Sequence, residues 1–306
     1  MFPLITAEQR RSQHRGIKGC IFGKSGIGKT SLLLTLPTSS TLFFDIEAGD
    51  LAVEDWNGDA FRPKTWQECR DFAVFIGGPN YALRDEQSYS EAHFNAVCKR
   101  YGNPEQLNTY DIIFIDSITV AGRLCFQWCK GQPQAFSERT GKPDTRGAYG
   151  LHGQEMIAWL THLQHTRNKS VWFVGILDEK VDEFNRRVFE PQIEGSKTGL
   201  ELPGIVDQVI TMADLPSEDG IPYRAFINHT LNPYGYPAKD RSRKLDVIEE
   251  PHLGRLMEKI KRPADMMVHH LEYGLKTPAQ VSTQPQLQHN NTQNNISNNT
   301  HDNTTH

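Results

Sequence analysis

One octapeptide limits what this chain can fold into more than any other feature. Gly23-Lys24-Ser25-Gly26-Ile27-Gly28-Lys29-Thr30 fits G-x-x-x-x-G-K-[ST] without a mismatch. Glycines at such positions let a backbone wrap tightly and aim several N–H groups at one anion. A helix opening near Lys29 would add its positive end. In this pattern the Lys29 ammonium neutralises β- and γ-phosphate oxygens, and the Thr30 hydroxyl ligates Mg2+, with Ser31 on the same turn. The match arises by chance in roughly one chain in a hundred of this length, so the flanks decide. An apolar run at 16–22 precedes it, and Leu32, Leu33 and Leu34 follow before Pro37 stops the helix expected over 29–36. Strand, glycine loop and helix in that order predict a nucleoside triphosphate with Mg2+ as the ligand.

The rest of the composition narrows the setting. With 306 residues the chain can bury a full core. No apolar run approaches the roughly 20 residues of a membrane-spanning helix. The first 16 residues lack the pattern of a secretory signal, so an intracellular, cytoplasmic protein is expected. Cys20, Cys69, Cys98, Cys125 and Cys129 show no repeated spacing, and they read as free thiols rather than zinc ligands. A net charge of −4 excludes a wholly basic nucleic-acid coat but leaves room for a local basic groove.

Apolar runs at 41–46, 110–115, 170–177 and 206–212 have strand length, and 223–229 adds a sixth. Helical spacing lies between them at 65–76 and 151–166, and again at 252–262. That alternation predicts an α/β fold with a mostly parallel central sheet, covered by helices on both faces. Residues 1–15 read as a polar arm, 16–262 as the core and 263–306 as a C-terminal segment. Residues 77–108 look like an insertion carrying a helix near 90–100, and the Asn/Gln-rich tail from about 279 is expected to be disordered.

Two acidic positions complete the candidate site. Asp116 follows the apolar run Ile112–Ile115, at the carboxyl edge where open α/β sheets bind ligands, and there it would help hold Mg2+. Asp45 and Glu47 end the next strand after the loop, and strand alternation sends both to one side. Glu47 is the candidate base for the attacking water.

The phosphate loop, Phe44-Asp45-Ile46-Glu47-Ala48 and Ile112 to Ser117 occur in the order seen in RecA-type recombinases, and the chain resembles phage nucleotide-binding proteins reduced to a RecA-like core. The resemblance extends over about 16–261 and includes Ala148-Tyr149-Gly150 and Pro237-Ala238-Lys239-Asp240-Arg241. It implies an ATPase of DNA recombination, single-strand annealing or repair, with Glu47 as water-activating base and Asp116 as the second acid. It also implies a homo-oligomer on single-stranded DNA in a phage-infected bacterial host, with a phage or host single-strand DNA-binding protein as a further partner. Loops at 131–150 (with Lys130, Arg139, Lys142, Arg146, Phe136 and Tyr149) and at 180–203 (with Arg186, Arg187 and Lys197) would line the DNA path. Lys239 and Arg241 would reach a neighbour's site as a basic finger, or else form a solvated basic hairpin. Two departures stand out: Leu177-Asp178-Glu179 replaces the usual γ-phosphate-sensing Gln, with Asp178 nearest in position, and the flanking DNA-binding domains are missing. A guanine-reading motif is absent, since Asn168-Lys169-Ser170 lacks the acid and Asp116 is not in D-x-x-G. The other reading is a nucleotide-dependent assembly switch with little turnover.

Overall fold

The computed structural model describes residues 4–13 and 15–263. In chain order it contains α1 (Ala7–Ser12), β1 (Lys18–Gly23), β2 (Thr41–Asp45), β3 (Asp59–Phe61), α2 (Trp66–Gly77) and α3 (Glu91–Tyr101). There follow β4 (Ile112–Asp116), α4 (Ile118–Cys129), α5 (Thr145–His165), β5 (Ser170–Val181), β6 (Arg187–Pro191) and α6 (Ser196–Ile205). The last elements are β7 (Gln208–Leu215), β8 (Tyr223–Ile227), β9 (Lys239–Asp240), β10 (Ile248–Glu249) and α7 (Leu253–Lys261).

One sheet runs β10-β8-β7-β1-β5-β4-β2-β3, and the six strands from β7 to β3 are parallel. The strands β8, β9 and β10 pair antiparallel at one margin, and β6 folds back on β5. All residues of β1, β2 and β4 are buried, as expected of strands covered on both faces. Neighbouring residues therefore feed opposite cores. Phe44 and Phe173 join Trp66, Phe72 and Trp159 under α2, α4 and α5. Phe43 and Trp172 join Leu33, Phe114 and Met257 on the face covered by α7. Each of these large side chains contributes roughly 1.5–3 kcal/mol by leaving water, which makes the sheet a rigid base for its edge loops.

Several expectations need correction. The segment after the phosphate loop is a six-residue 3-10 helix, Thr30–Thr35, rather than an α-helix over 29–36. Its last turn is diverted: the Thr35 hydroxyl donates to the Leu32 carbonyl (2.7 Å) and accepts the Leu253 N–H (3.1 Å), which docks the start of α7 here. The first expected loop is shorter than 131–150, because α5 begins at Thr145 with Asp144 as its N-cap. Gly147 and Gly150 suggested a loop, yet they lie within that helix. A Cβ at Gly147 would stand 2.1 Å from the Gln134 carbonyl, so close packing explains that glycine. The second expected loop, 180–203, is the β5–β6 hairpin followed by α6. Its turn is built by Asp182, whose carboxylate accepts the Phe184 and Arg186 N–H groups, and by Asn185 at φ 59°. The helix expected near 90–100 is α3, inside the 77–108 segment, and the 1–15 arm carries α1 behind a Thr6 capping box. The tail from about 279 lies outside the described residues.

Candidate functional site

The phosphate loop leaves β1 at Gly23, and the motif's glycines answer to two different constraints. A Cβ at Gly23 would meet the Met212 carbonyl at 2.7 Å, while Gly26 (φ 76°) and Gly28 (φ 94°) occupy the left-handed region. Ile27 is the loop's buried apolar residue and joins the core beside Leu33 and Met212. Lys24 and Ser25 are exposed on the arch, and Lys29, Thr30 and Ser31 are half-buried where the 3-10 helix opens. The Lys29 Nζ donates to the carbonyls of Gly23 (3.0 Å) and Lys24 (2.9 Å). Burial lowers its pKa, and the nearby Asp116 and Glu47 carboxylates oppose that shift.

The structure brings the loop and the two acids together. The Thr30 Oγ1 donates to Asp116 Oδ2 at 2.6 Å. Burial pushes the Asp116 carboxyl up to about 6; Glu47 and Asp45 push the same way, and the Thr30 hydrogen bond and Lys29 push against it. One hydroxyl and one carboxylate converging on a point suit a hard divalent cation that takes its remaining ligands from phosphates and water. Among the described residues no group of three or more His, Cys, Asp or Glu could cage a metal by itself. The donors therefore fit Mg2+ carried in with a nucleotide.

Asp45 and Glu47 have separate environments, although strand alternation had paired them. The strand β2 ends at Asp45, so alternation does not extend to Glu47. Asp45 is fully buried, bonded to Arg62 Nε (2.7 Å) and to the Gly49 N–H (3.2 Å), and so it braces the turn beyond the strand. Glu47 rides on that turn and is exposed. Its N–H and that of Ile46 both donate to the Asp116 carbonyl, at 3.2 and 2.7 Å, and its Oε1 accepts from Ser117 Oγ. Ser117 also caps α4 by accepting the Val120 N–H, and the Asp116–Ser117 peptide is cis. Ser117 was not singled out by sequence; a Ser before the apolar stretch 118–129 could have marked a helix cap, but says nothing about Glu47.

Asp178 is not at a strand end; β5 continues through it and pairs it with Glu190. Its neighbour Glu179 lies 3.4 Å from both Lys24 of the loop and Arg187 of β6. Arg224 on β8 was not singled out by sequence. Its Nη1 is 3.1 Å from the place a Cβ on Gly28 would occupy, and its Nε is 3.0 Å from Asp214.

Lys239 and Arg241 are not brought to their own phosphate loop. The β9 residues pair with Gln208 and Val209 at the start of β7, the amino edge of the sheet, whereas the loop follows the carboxyl end of β1. Lys239 Nζ donates to the Pro203 and Val206 carbonyls, and Arg241 pairs with Asp207 at 2.9 Å, which Arg15 also contacts at 2.8 Å.

On the candidate DNA-facing segments, Lys130, Arg139, Lys142 and Arg146 are exposed, and Phe126 stacks on Tyr149 at 4.3 Å. At the β5–β6 tip, exposed Phe184 lies 5.1 Å under the Arg186 guanidinium, with Arg187 next in sequence. No described helix is long and apolar enough to cross a membrane.

A glycine-wrapped loop with Lys29 and Thr30, set beside Asp116 at the carboxyl edge of a parallel sheet, defines a P-loop nucleotide-binding domain. The chain belongs to the AAA domain family, whose model matches residues 15–242, and the domain is thus an AAA-type ATPase domain. No curated protein matches the chain. A similar solved structure is described as a prototypical ATPase from the type III secretion system of pathogenic bacteria, at 15% identity and a TM-score of 0.35. That match covers 65% of this chain and 52% of the other, so this chain spans about half the length of that ATPase.

Proposed function

We propose that this domain hydrolyses Mg-bound ATP and that the turnover serves DNA recombination, single-strand annealing or repair. The observation that carries hydrolysis is the seat of Glu47. Its carboxylate stands beside Asp116, held at Oε1 by the Ser117 hydroxyl, while Oε2 has no hydrogen-bond donor among the described residues. Oε2 is therefore the atom assigned to take the proton of the attacking water. When nucleotide binds, Lys29 would give its ammonium to phosphate oxygens in place of the two carbonyls, and Thr30 and Asp116 would hold the Mg2+. Bound there, the ion would neutralise charge on the β- and γ-oxygens.

Single-stranded DNA is the proposed nucleic-acid ligand. The hairpin tip pairs an exposed aromatic ring with arginines, and exposed Lys130, Arg139, Lys142 and Arg146 share the segment 130–149 with exposed Phe136 and Tyr149. Base stacking and phosphate contact need those two kinds of side chain together. A homo-oligomer, with a phage or host single-strand DNA-binding protein as a further partner, belongs to the same proposal. For Lys239 and Arg241, the bonds to Pro203, Val206 and Asp207 argue for bracing within this subunit rather than a finger into the next.

The test compares wild type with Glu47→Gln. Turnover should fall about 10²- to 10⁴-fold while MgATP affinity holds. Unchanged turnover would defeat the assignment of Glu47 and favour an assembly switch. Wild-type turnover should also rise with single-stranded DNA and lose that stimulation as salt increases, because counterion release drives binding to a charged backbone. Indifference to DNA at every salt concentration would remove the recombination reading.

A further inference from the structure

The phosphate-loop motif does not account for every cation around the loop. Arg224 enters from β8, whose register places it directly opposite Asp214 of β7. That cross-strand partner holds the guanidinium through Nε at 3.0 Å, and neither Nη group donates a hydrogen bond to any described residue. Nη1 lies against Gly28, 3.1 Å from the position of an absent Cβ, and Ser31 Oγ is 3.9 Å from that same position. The glycine at 28 therefore leaves the space that Arg224 fills. The same guanidinium lines a cavity of about 260 Å³ with Lys24, Gly26, Phe189 and Tyr236.

We propose that Arg224 is a nucleotide-contacting residue, a cation supplied by the same subunit that binds the phosphates shared by ATP and ADP. The proposal rests on the nucleotide-binding reading of the loop and deepens it. Sheet order decides which phosphates are involved. Asp116 and Glu47 reach the loop from the β4 and β2 side of β1, whereas Arg224 reaches it from the β7 and β8 side. Metal and water chemistry at the γ-phosphate belong to the first side. The Gly28 and Ser31 side faces the phosphates that the loop's own N–H groups cradle. A guanidinium with Nε fixed and both Nη groups free presents a planar fork that suits phosphate oxygens. The plainer account is a cross-strand ion pair that only supports the hairpin. With Arg224 43% and Asp214 50% exposed, such a pair adds little to stability.

The two accounts separate in a binding titration of the full chain with MgATP and MgADP. Arg224→Gln should weaken both nucleotides by about tenfold at an unchanged melting temperature, and Arg224→Lys should recover part of the loss. Equal affinity of Arg224→Gln and wild type for both nucleotides would overturn the proposal. Loss confined to MgATP would overturn the assignment to the shared phosphates. A loss of affinity matched by a lowered melting temperature, with Arg224→Lys behaving as wild type in both measurements, would make the residue a hairpin brace. Wild type that takes up neither nucleotide would instead defeat the reading of the loop, before any Arg224 variant is compared.

Discussion

The two ends of the parallel strands handle charge in opposite ways. At the carboxyl end, Lys29 bonds only to carbonyls of its own loop and Arg224 keeps both Nη groups free of protein acceptors among the described residues. At the amino end, lysines are tied to the fold. Lys18 is buried with bonds to the Thr166 and Lys169 carbonyls, beyond the end of α5, and Lys239 bonds the Pro203 and Val206 carbonyls at the end of α6. The topology explains the contrast. Helices that return across a parallel sheet present their N-termini at the carboxyl edge and their orphan carbonyls at the amino edge. The first edge is left attractive to anions, and the second is already neutralised by lysines. A cation's value for ligand binding thus depends on which edge it occupies more than on its exposure.

The largest effect expected from this contrast is at Lys29. Lys29→Ala should remove MgATP uptake, by about 100-fold or more, because charge-assisted bonds to phosphate are lost with no replacement. Its melting temperature should stay near that of wild type, since the Lys24 carbonyl it leaves is exposed and only the Gly23 carbonyl is partly buried. Calorimetry and thermal melts of the same sample check both halves. A variant that unfolds while still binding nucleotide would show that Lys29 belongs with the amino-edge lysines.

Next in size is the acid that faces Lys29. An unfolded Asp titrates near 4, whereas burial pushes folded Asp116 up to about 6. The folded state therefore holds this proton more firmly than the unfolded state does. Its contribution to stability is complete below pH 4 and is lost as pH rises through 6. The ionised carboxylate then costs the nucleotide-free fold roughly 3 kcal/mol, so Asp116→Asn should melt higher than wild type at pH 8. That advantage should shrink through pH 6 and vanish at pH 4. Wild-type uptake of Mg-nucleotide should weaken over the same fall, as the ligand oxygen is protonated. A melting difference that is constant with pH would show that Asp116 is not a strained, ligand-awaiting acid.

What could be read from sequence followed backbone chemistry and apolar runs. The phosphate loop was legible because its glycines answer to local dihedrals and close approach, and β2 and β4 because every residue in them is buried. Asp116 followed from the end of such a run. Strand alternation singled out Glu47, but Glu47 stands beyond the strand that alternation describes, so of the two sequence arguments for it only the order of motifs survives. The bond between Asp45 and Arg62 depends on how the β2–β3 connection folds, which no local pattern encodes. Polar residues hid the β5–β6 hairpin, and Gly147 hid the first turn of α5 because its cause is a tertiary contact with Gln134. Arg224 depended on the β7–β8 register, so no motif could announce it.

The smallest effect tests the amino edge itself. Lys239 donates to two carbonyls at the end of α6, and burial lowers its pKa, as expected of an ammonium drawn partly out of water to satisfy them. Replacing it with Met keeps the aliphatic stem and deletes only the donors. The loss should be about 1–2 kcal/mol of stability, a few degrees in melting temperature, because two carbonyls at a helix C-terminus lose their charged partner. Turnover per folded molecule should stay within about twofold of wild type, since a cap at this edge touches no phosphate of its own subunit. If turnover instead collapsed at an unchanged melting temperature, the ammonium would be acting on a neighbour's nucleotide. The division of charge between the two edges would then hold within one subunit but fail in the assembly.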